Sequence, residues 1–153
     1  MIQVLYGKRG TGKTKRIIAL AKQQESETRG HVVFVEKDNR CMLDLPHAIR
    51  YVNAGEYGVR DPEMFYGFIA GMLAVNFDIT DLFIDALPSI AGLQNAEEAQ
   101  GLFGQITTIS EQQGVNLVIS MSGPDGEAPE YLKPYIIYPG RVLIYAIRQH
   151  PHG

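Results

Sequence analysis

The segment GKRGTGKT, residues 7–14, constrains this chain more than any other stretch. It fits the pattern G-x-x-x-x-G-K-[ST], a phosphate-binding loop (P-loop) whose backbone N–H groups surround a chain of phosphates. The glycines allow left-handed turns, and the helix that follows adds the positive end of its dipole. In this pattern Lys13 contacts the terminal phosphates and Thr14 offers a hydroxyl to Mg²⁺. The motif therefore predicts nucleotide binding.

The whole loop is the candidate ATP-binding site. No N-K-x-D-like motif of the kind that reads guanine occurs in the sequence, which favours ATP over GTP. The candidate binding residues are Gly7, Lys8, Arg9, Gly10, Thr11, Gly12, Lys13 and Thr14.

Length, charge and cysteine content narrow the class of protein. At 153 residues we expect one domain over residues 1–148 and a flexible tail over residues 149–153. A net charge of −3 gives no electrostatic reason for nucleic-acid binding. The single cysteine, Cys41, cannot form an internal disulfide and is expected to be a small buried group in a reducing compartment.

No apolar run reaches the roughly 18 residues of a membrane span, and the N-terminus leaves no room for a signal peptide, so we expect a cytoplasmic protein.

Apolar, β-branched runs alternate with segments of helical periodicity. This alternation predicts an α/β fold with a mostly parallel sheet. One helix begins with Asp61 as N-cap and Pro62 at its first position, and its apolar stripe is interpreted as core packing rather than a cofactor pocket. That stripe consists of Met64, Phe65, Phe68, Ile69, Met72 and Leu73. The predicted strands are residues 2–6, 31–36, 48–53, 82–87, 115–121 and 141–147, and the other helices are residues 14–25 and 95–113.

Asp85 is the only charge in the apolar run LFIDA. A buried carboxylate is costly without a partner, and Mg²⁺ at a phosphate site needs one near Thr14. We therefore predict that Asp85 is a metal ligand, with a structural pairing to Lys or Arg as the alternative. Asp81, at the opposite end of the same strand, is expected to be solvated.

The order of these segments resembles the core of RecA-like P-loop ATPases over most of the chain. The resemblance rests on the P-loop strand, the strand ending in Glu36, and the runs AIRYVN, LFIDALPSIAGL and NLVISMS. It implies a three-layer α/β/α fold and a six-stranded sheet in the order AIRYVN, VVFVE, LFIDA, LVISM, QVLYG, VLIYA. It also implies that Asp85 is the Walker B aspartate and that Glu36 polarises the attacking water. A solvated strand end paired with Lys37 is the alternative for Glu36.

Further residues have open roles. Ser120 and Ser122 lie where related ATPases carry a polar γ-phosphate sensor, although either could be a loop-start hydroxyl. The spacing of Lys8 to Lys13 is similar to the deviant Walker A of MinD-like ATPases, in which that lysine acts across a dimer; a solvent-facing lysine is the alternative. Candidates for a charge-stabilising arginine are Arg9, Arg141 and Arg148. His150 and His152 alone make a poor metal site.

The predicted function is a Mg²⁺-dependent ATPase that drives a conformational or assembly step, with a homo-oligomer or another protein as the expected partner. One alternative is a small-molecule or nucleoside kinase, because VEKDNR is loosely similar to the lasso-side motif of thymidine kinases; their zinc module, however, needs several cysteines. A nucleotide-dependent regulatory module with little turnover is the other alternative.

Overall fold

A parallel sheet forms the middle layer of the protein in the computed structural model, which describes residues 1–124 and 127–137. Its strand order over these residues is β1-β5-β4-β2-β3, and each neighbouring pair is parallel. This confirms the predicted order for five strands. The strands are β1 (Ile2–Gly7), β2 (His31–Glu36), β3 (Ile49–Asn53), β4 (Ile79–Ile84) and β5 (Asn116–Ser122).

Four α-helices connect or flank these strands in the described part of the chain: α1 (Lys13–Glu27), α2 (Pro62–Val75), α3 (Leu87–Ile90) and α4 (Gln100–Gln113). The N-cap of α2 is as predicted, because Asp61 Oδ1 accepts from the Met64 N–H at 2.8 Å. Helix α4 ends at Gly114, which has a φ of 70°. Asn95 Oδ1 accepts from the Glu98 N–H at 3.0 Å within a short 3₁₀ turn, Glu97–Ala99, so α4 itself begins later than predicted.

Helices cover the two faces of the sheet, which gives the three-layer α/β/α architecture. The alternation of side chains along β4 separates the two cores: Phe83 packs with Ile17 and Leu20 of α1, whereas Leu82 and Ile84 pack in the core that contains α2 and α4. No helix among the described residues is long and apolar enough to cross a membrane.

The end of β4 differs from the prediction. The strand was expected over residues 82–87 but occupies Ile79–Ile84, so Asp85 follows it directly. Ala86 has a φ of 58°, a left-handed conformation that ends the strand, and α3 begins at the next residue with Pro88 in its first turn. The segment after Asp85 is thus a helix rather than the end of a strand.

The expected solvation of Asp81 is wrong. Its side chain is completely buried and accepts hydrogen bonds from Thr80 Oγ1 at 2.7 Å and from Asn116 Nδ2 at 3.2 Å. The reason is strand register, because Asp81 is the β4 partner of Asn116 on β5. Its position at the end of the sheet away from the P-loop is as predicted.

Several predicted features lie outside the described residues. They are the sixth strand (residues 141–147), the tail (residues 149–153), Arg141, Arg148, His150 and His152.

Truncating Phe83 tests the α1-side core. Phe83→Ala is expected to lower the free energy of unfolding by about 3–5 kcal/mol, because it opens a cavity at a fully buried position. The matched control is Phe77→Ala, since Phe77 is 85% exposed and its loss should change stability by less than about 0.5 kcal/mol. Urea unfolding monitored by circular dichroism measures both. Equal costs for the two variants would contradict the described packing.

Candidate functional site

The P-loop connects β1 to α1 at the carboxyl end of the sheet. Gly10 and Gly12 have φ values of 82° and 86°, a left-handed conformation that L side chains rarely adopt. Thr11 Oγ1 donates to the Lys8 carbonyl oxygen at 2.6 Å, which closes the turn. Backbone geometry therefore explains the glycines at positions 10 and 12 before any ligand is considered.

Four strands bring their carboxyl ends to this loop. Because β1, β5, β4 and β2 are parallel neighbours, the residues at their ends meet at one edge of the sheet. A cleft of about 460 Å³ lies there, and its walls come from the P-loop, α1, the start of α3 and the end of β5. Its lining includes the candidate residues Arg9, Gly10, Gly12, Lys13, Thr14, Asp85, Ser120 and Ser122.

Asp85 is at the centre of the polar contacts in this cleft. The side chain is only 3% exposed, Ser120 Oγ donates to its Oδ1 at 2.6 Å, and Thr14 Oγ1 donates to its Oδ2 at 3.4 Å. Ser120 Oγ in turn accepts from the Ala86 N–H at 2.7 Å. A hydroxyl and a carboxylate that face each other at this separation are the oxygen donors that Mg²⁺ prefers, so Thr14 and Asp85 fit a magnesium site.

Glu36 ends β2 and is completely buried. Its Oε1 accepts from the Cys41 N–H at 2.8 Å and from the Tyr51 hydroxyl, whereas Oε2 has no hydrogen-bond partner among the described residues. Ligand atoms of Glu36, Cys41 and Asp85 lie within 4.8 Å of one another. A buried carboxylate oxygen without a partner is costly, so an unpartnered oxygen on a carboxylate near Asp85 is where a water or an ion would bind.

Lys13 and Lys8 have different surroundings. Lys13 Nζ donates to the Lys8 carbonyl oxygen at 2.7 Å. Burial lowers the pKa of Lys13, the Arg9 charge lowers it further, and Asp85 acts in the opposite direction. The Lys8 side chain is exposed at the surface of the loop, which fits both a solvent-facing lysine and one that acts across a dimer.

Sequence reasoning missed two residues that contact the site. Tyr51 on β3 reaches Glu36 Oε1 and the carbonyl oxygen of Asp38, and the residue types along the chain gave no signal for this contact. Arg40 lines the cleft and pairs with Asp38 at 3.0 Å. Its signal was available, because it follows the strand that ends in Glu36 by four residues.

Comparison with known proteins identifies the fold of this chain. No protein-family model matches the sequence, and no curated protein matches it. Among solved structures, the chain is similar to the KaiC-like protein PH0186 from the hyperthermophilic archaeon Pyrococcus horikoshii OT3, with 21% identity and a TM-score of 0.62 over 86% of this chain. The chain spans 66% of the length of that structure. The flagellar accessory protein FlaH from Methanocaldococcus jannaschii is more distant, with 14% identity, a TM-score of 0.48, and coverage of 87% of this chain and 65% of that one.

The predicted fold class is confirmed. The chain has a RecA-like P-loop fold, a three-layer α/β/α arrangement around a parallel sheet. At 21% identity the similarity to PH0186 shows the fold alone.

The contact between Tyr51 and Glu36 can be measured by stability. Tyr51→Phe removes a donor from a buried carboxylate and should lower the free energy of unfolding by about 1–3 kcal/mol. Tyr57→Phe is the matched control, because Tyr57 is 59% exposed. In a Glu36→Leu background the effect of Tyr51→Phe should shrink, since the partner is gone. An unchanged effect in that background would show that the two side chains are not coupled.

Cys41 provides a chemical test of the same region. Its thiol is 1% exposed, and burial, followed by the hydrogen bond and charge of Glu36, raises its pKa. The thiolate is the reactive form, so iodoacetamide should label the folded protein roughly 100-fold more slowly than the urea-unfolded protein. Raising the pH from 7 to 9 should accelerate labelling of the unfolded chain but not of the folded one. As the only cysteine, Cys41 gives an unambiguous mass shift, and rapid labelling of the folded protein would contradict the described burial.

Proposed function

We propose that the protein binds ATP at the P-loop and hydrolyses it in the presence of Mg²⁺. The observation that carries this proposal is the buried carboxylate of Glu36. Its Oε2 has no hydrogen-bond partner among the described residues, and one of its oxygens lies within 4.8 Å of an oxygen of Asp85, which lines the P-loop cleft. A phosphate-binding loop alone needs no such group. Activation of a water requires a carboxylate oxygen that no other group occupies and that lies near the bound phosphates.

The residues divide the task. Thr14 and Asp85 would hold Mg²⁺, which when bound neutralises charge on the phosphates. Glu36 is held through Oε1 by the Cys41 N–H and the Tyr51 hydroxyl, so Oε2 is left to orient a water and accept its proton. Lys13 exchanges the Lys8 carbonyl for a phosphate oxygen, which is a stronger, charge-assisted hydrogen bond.

The sensor and arginine roles also become more specific. Ser120 Oγ is engaged by Asp85 and Ala86, so Ser122, at the end of β5 and in the lining of the cleft, is the better-placed sensor candidate. Arg9 and Arg40 both line the cleft and are the described arginines that can stabilise charge on a transferred phosphate. The conformational or assembly step that hydrolysis would drive stays part of the proposal.

Glu36→Gln separates hydrolysis from binding. It should lower kcat by about 10²- to 10⁴-fold, because it replaces the proton-accepting carboxylate by an amide. ATP affinity should change little, because the amide has nearly the same shape. Lys13→Ala should instead weaken ATP binding, since it deletes a charge-assisted phosphate contact. Lys22→Ala on the exposed side of α1 is the control and should behave as the unchanged protein. Phosphate release and binding of a fluorescent ATP analogue measure the two properties.

Four outcomes would oppose the proposal. Hydrolysis that persists in Glu36→Gln removes the role of Glu36, and hydrolysis without Mg²⁺ removes that of Asp85 and Thr14. Phosphate transfer to a nucleoside or sugar in preference to water would favour the kinase alternative. ATP binding without turnover would favour the regulatory module.

A further inference from the structure

A groove of about 800 Å³ lies between α2 and β3, away from the P-loop. One wall is formed by Phe68, Met72 and Val75 of α2, and the floor includes Val33 of β2 and Val52 of β3. Its volume is within the range of ligand-binding pockets, about 300–1,000 Å³. Part of the apolar stripe of α2 thus lines an open surface in addition to packing against the core.

Within residues 1–124 and 127–137, the groove is the place where the helical layer leaves this face of the sheet uncovered. Parallel sheets are normally covered on both faces, and β3 is the last strand of the described sheet on this side. Arg50 of β3 is exposed on the groove face. The space beside α2 has the position that a further helix of the same layer would occupy.

The wall of α2 permits close approach of another helix. Gly67 and Gly71 are one turn apart, line the groove and are exposed, and a Cβ added at either would meet no atom of the described residues within 4 Å. Glycines at this spacing leave the helix backbone open, so a second helix can pack at short distance. No described residue packs closely enough against either position to require a glycine there.

The charge of the lining specifies the occupant. Arg50, His31 and His47 line the groove together with Asn76, and no carboxylate is among the lining residues, although the whole chain has a net charge of −3. An apolar surface bordered by donors and cations complements an apolar surface bordered by carboxylates. The occupant should therefore be acidic on the side that faces β3.

We propose that this groove binds an amphipathic α-helix of a partner protein, with an apolar stripe against α2 and carboxylates against Arg50 and the two histidines. This is helix-in-groove recognition, in which apolar anchors recur at i, i+3, i+4 and i+7. The chain's own residues 138–153 are a poor occupant, because they contain no Asp or Glu. In addition, the Ile137 N–H donates to the carbonyl oxygen of Val4 on β1, at the opposite edge of the sheet.

The test uses a fluorescent synthetic peptide with Leu at i, i+3, i+4 and i+7 and Glu beside that stripe. A second peptide has Lys in place of each Glu. The acidic peptide should bind the full chain saturably at one site, and the basic peptide at least tenfold more weakly, by fluorescence anisotropy. Arg50→Glu should reverse this preference, because it changes the sign of the groove's fixed charge.

Filling the groove is the second arm. Gly71→Leu adds a Cβ that meets no described atom within 4 Å, so the fold should persist while acidic-peptide binding falls at least tenfold. Gly101→Leu is the matched control, because Gly101 is an exposed glycine of α4 with the same empty surroundings. Circular dichroism verifies that both variants fold. If Gly71→Leu does not fold, the charge reversal at Arg50 decides whether the groove binds the acidic peptide.

The proposal is overturned if the acidic peptide does not bind, if both peptides bind equally, or if Gly71→Leu and Gly101→Leu have the same effect. Concentration-dependent dimerisation that Gly71→Leu abolishes would assign the groove to a second copy of the chain. Saturable binding of dodecanoate without binding of the acidic peptide would assign it to an amphipathic acid. None of these results depends on ATP hydrolysis, so this proposal and the proposed function can fail separately.

Discussion

The candidate site depends on the buried carboxylate of Asp85. Thr14 of α1 and Ser120 of β5 both direct hydroxyls at it, so one side chain joins the P-loop helix to two central strands. A charge in this position needs those donors, because an uncompensated buried carboxylate destabilises the folded state. The parallel sheet makes the arrangement possible, since the carboxyl ends of β1, β5, β4 and β2 meet at one edge. The same edge brings Glu36 within reach of Asp85.

The features that could be predicted are those whose physical cause is local. The left-handed turns at Gly10 and Gly12 follow from residue type and spacing in the P-loop motif. Likewise the start of α2 follows from Asp61 and Pro62, which cap and open the helix within a few residues. The order of five strands was implied by a resemblance to a known core, because non-local pairing leaves no direct mark on a strand's own sequence.

The features that escaped prediction depend on contacts between distant segments. Asp81 resembles a solvated strand end until the register with Asn116 is known, and that register is a property of the whole sheet. Ala86 was placed in a strand, although it alone among the described non-glycine residues has a positive φ. Nothing in its residue type indicates that conformation, which carries the chain from Asp85 into α3. Tyr51 touches Glu36 because β3 happens to be the neighbour of β2.

The edge strand β3 has residues that line the groove and a residue that contacts the candidate site. Arg50 and Val52 line the groove on one face, and Tyr51, between them, packs against Phe34 on the other face and contacts Glu36. A partner helix in the groove would therefore bind the strand that positions the candidate catalytic carboxylate. Contact alone does not couple the two places: an occupant changes the site only if it binds two positions of β3 with different affinity. Because the Tyr51 hydroxyl reaches both Glu36 Oε1 and the Asp38 carbonyl oxygen but has one proton to donate, the strand has two alternative partners for that hydrogen bond. Rotation of the Tyr51 hydroxyl about its C–O bond exchanges one partner for the other. Tyr51 is therefore the residue of β3 that connects the strand beside the groove with Glu36.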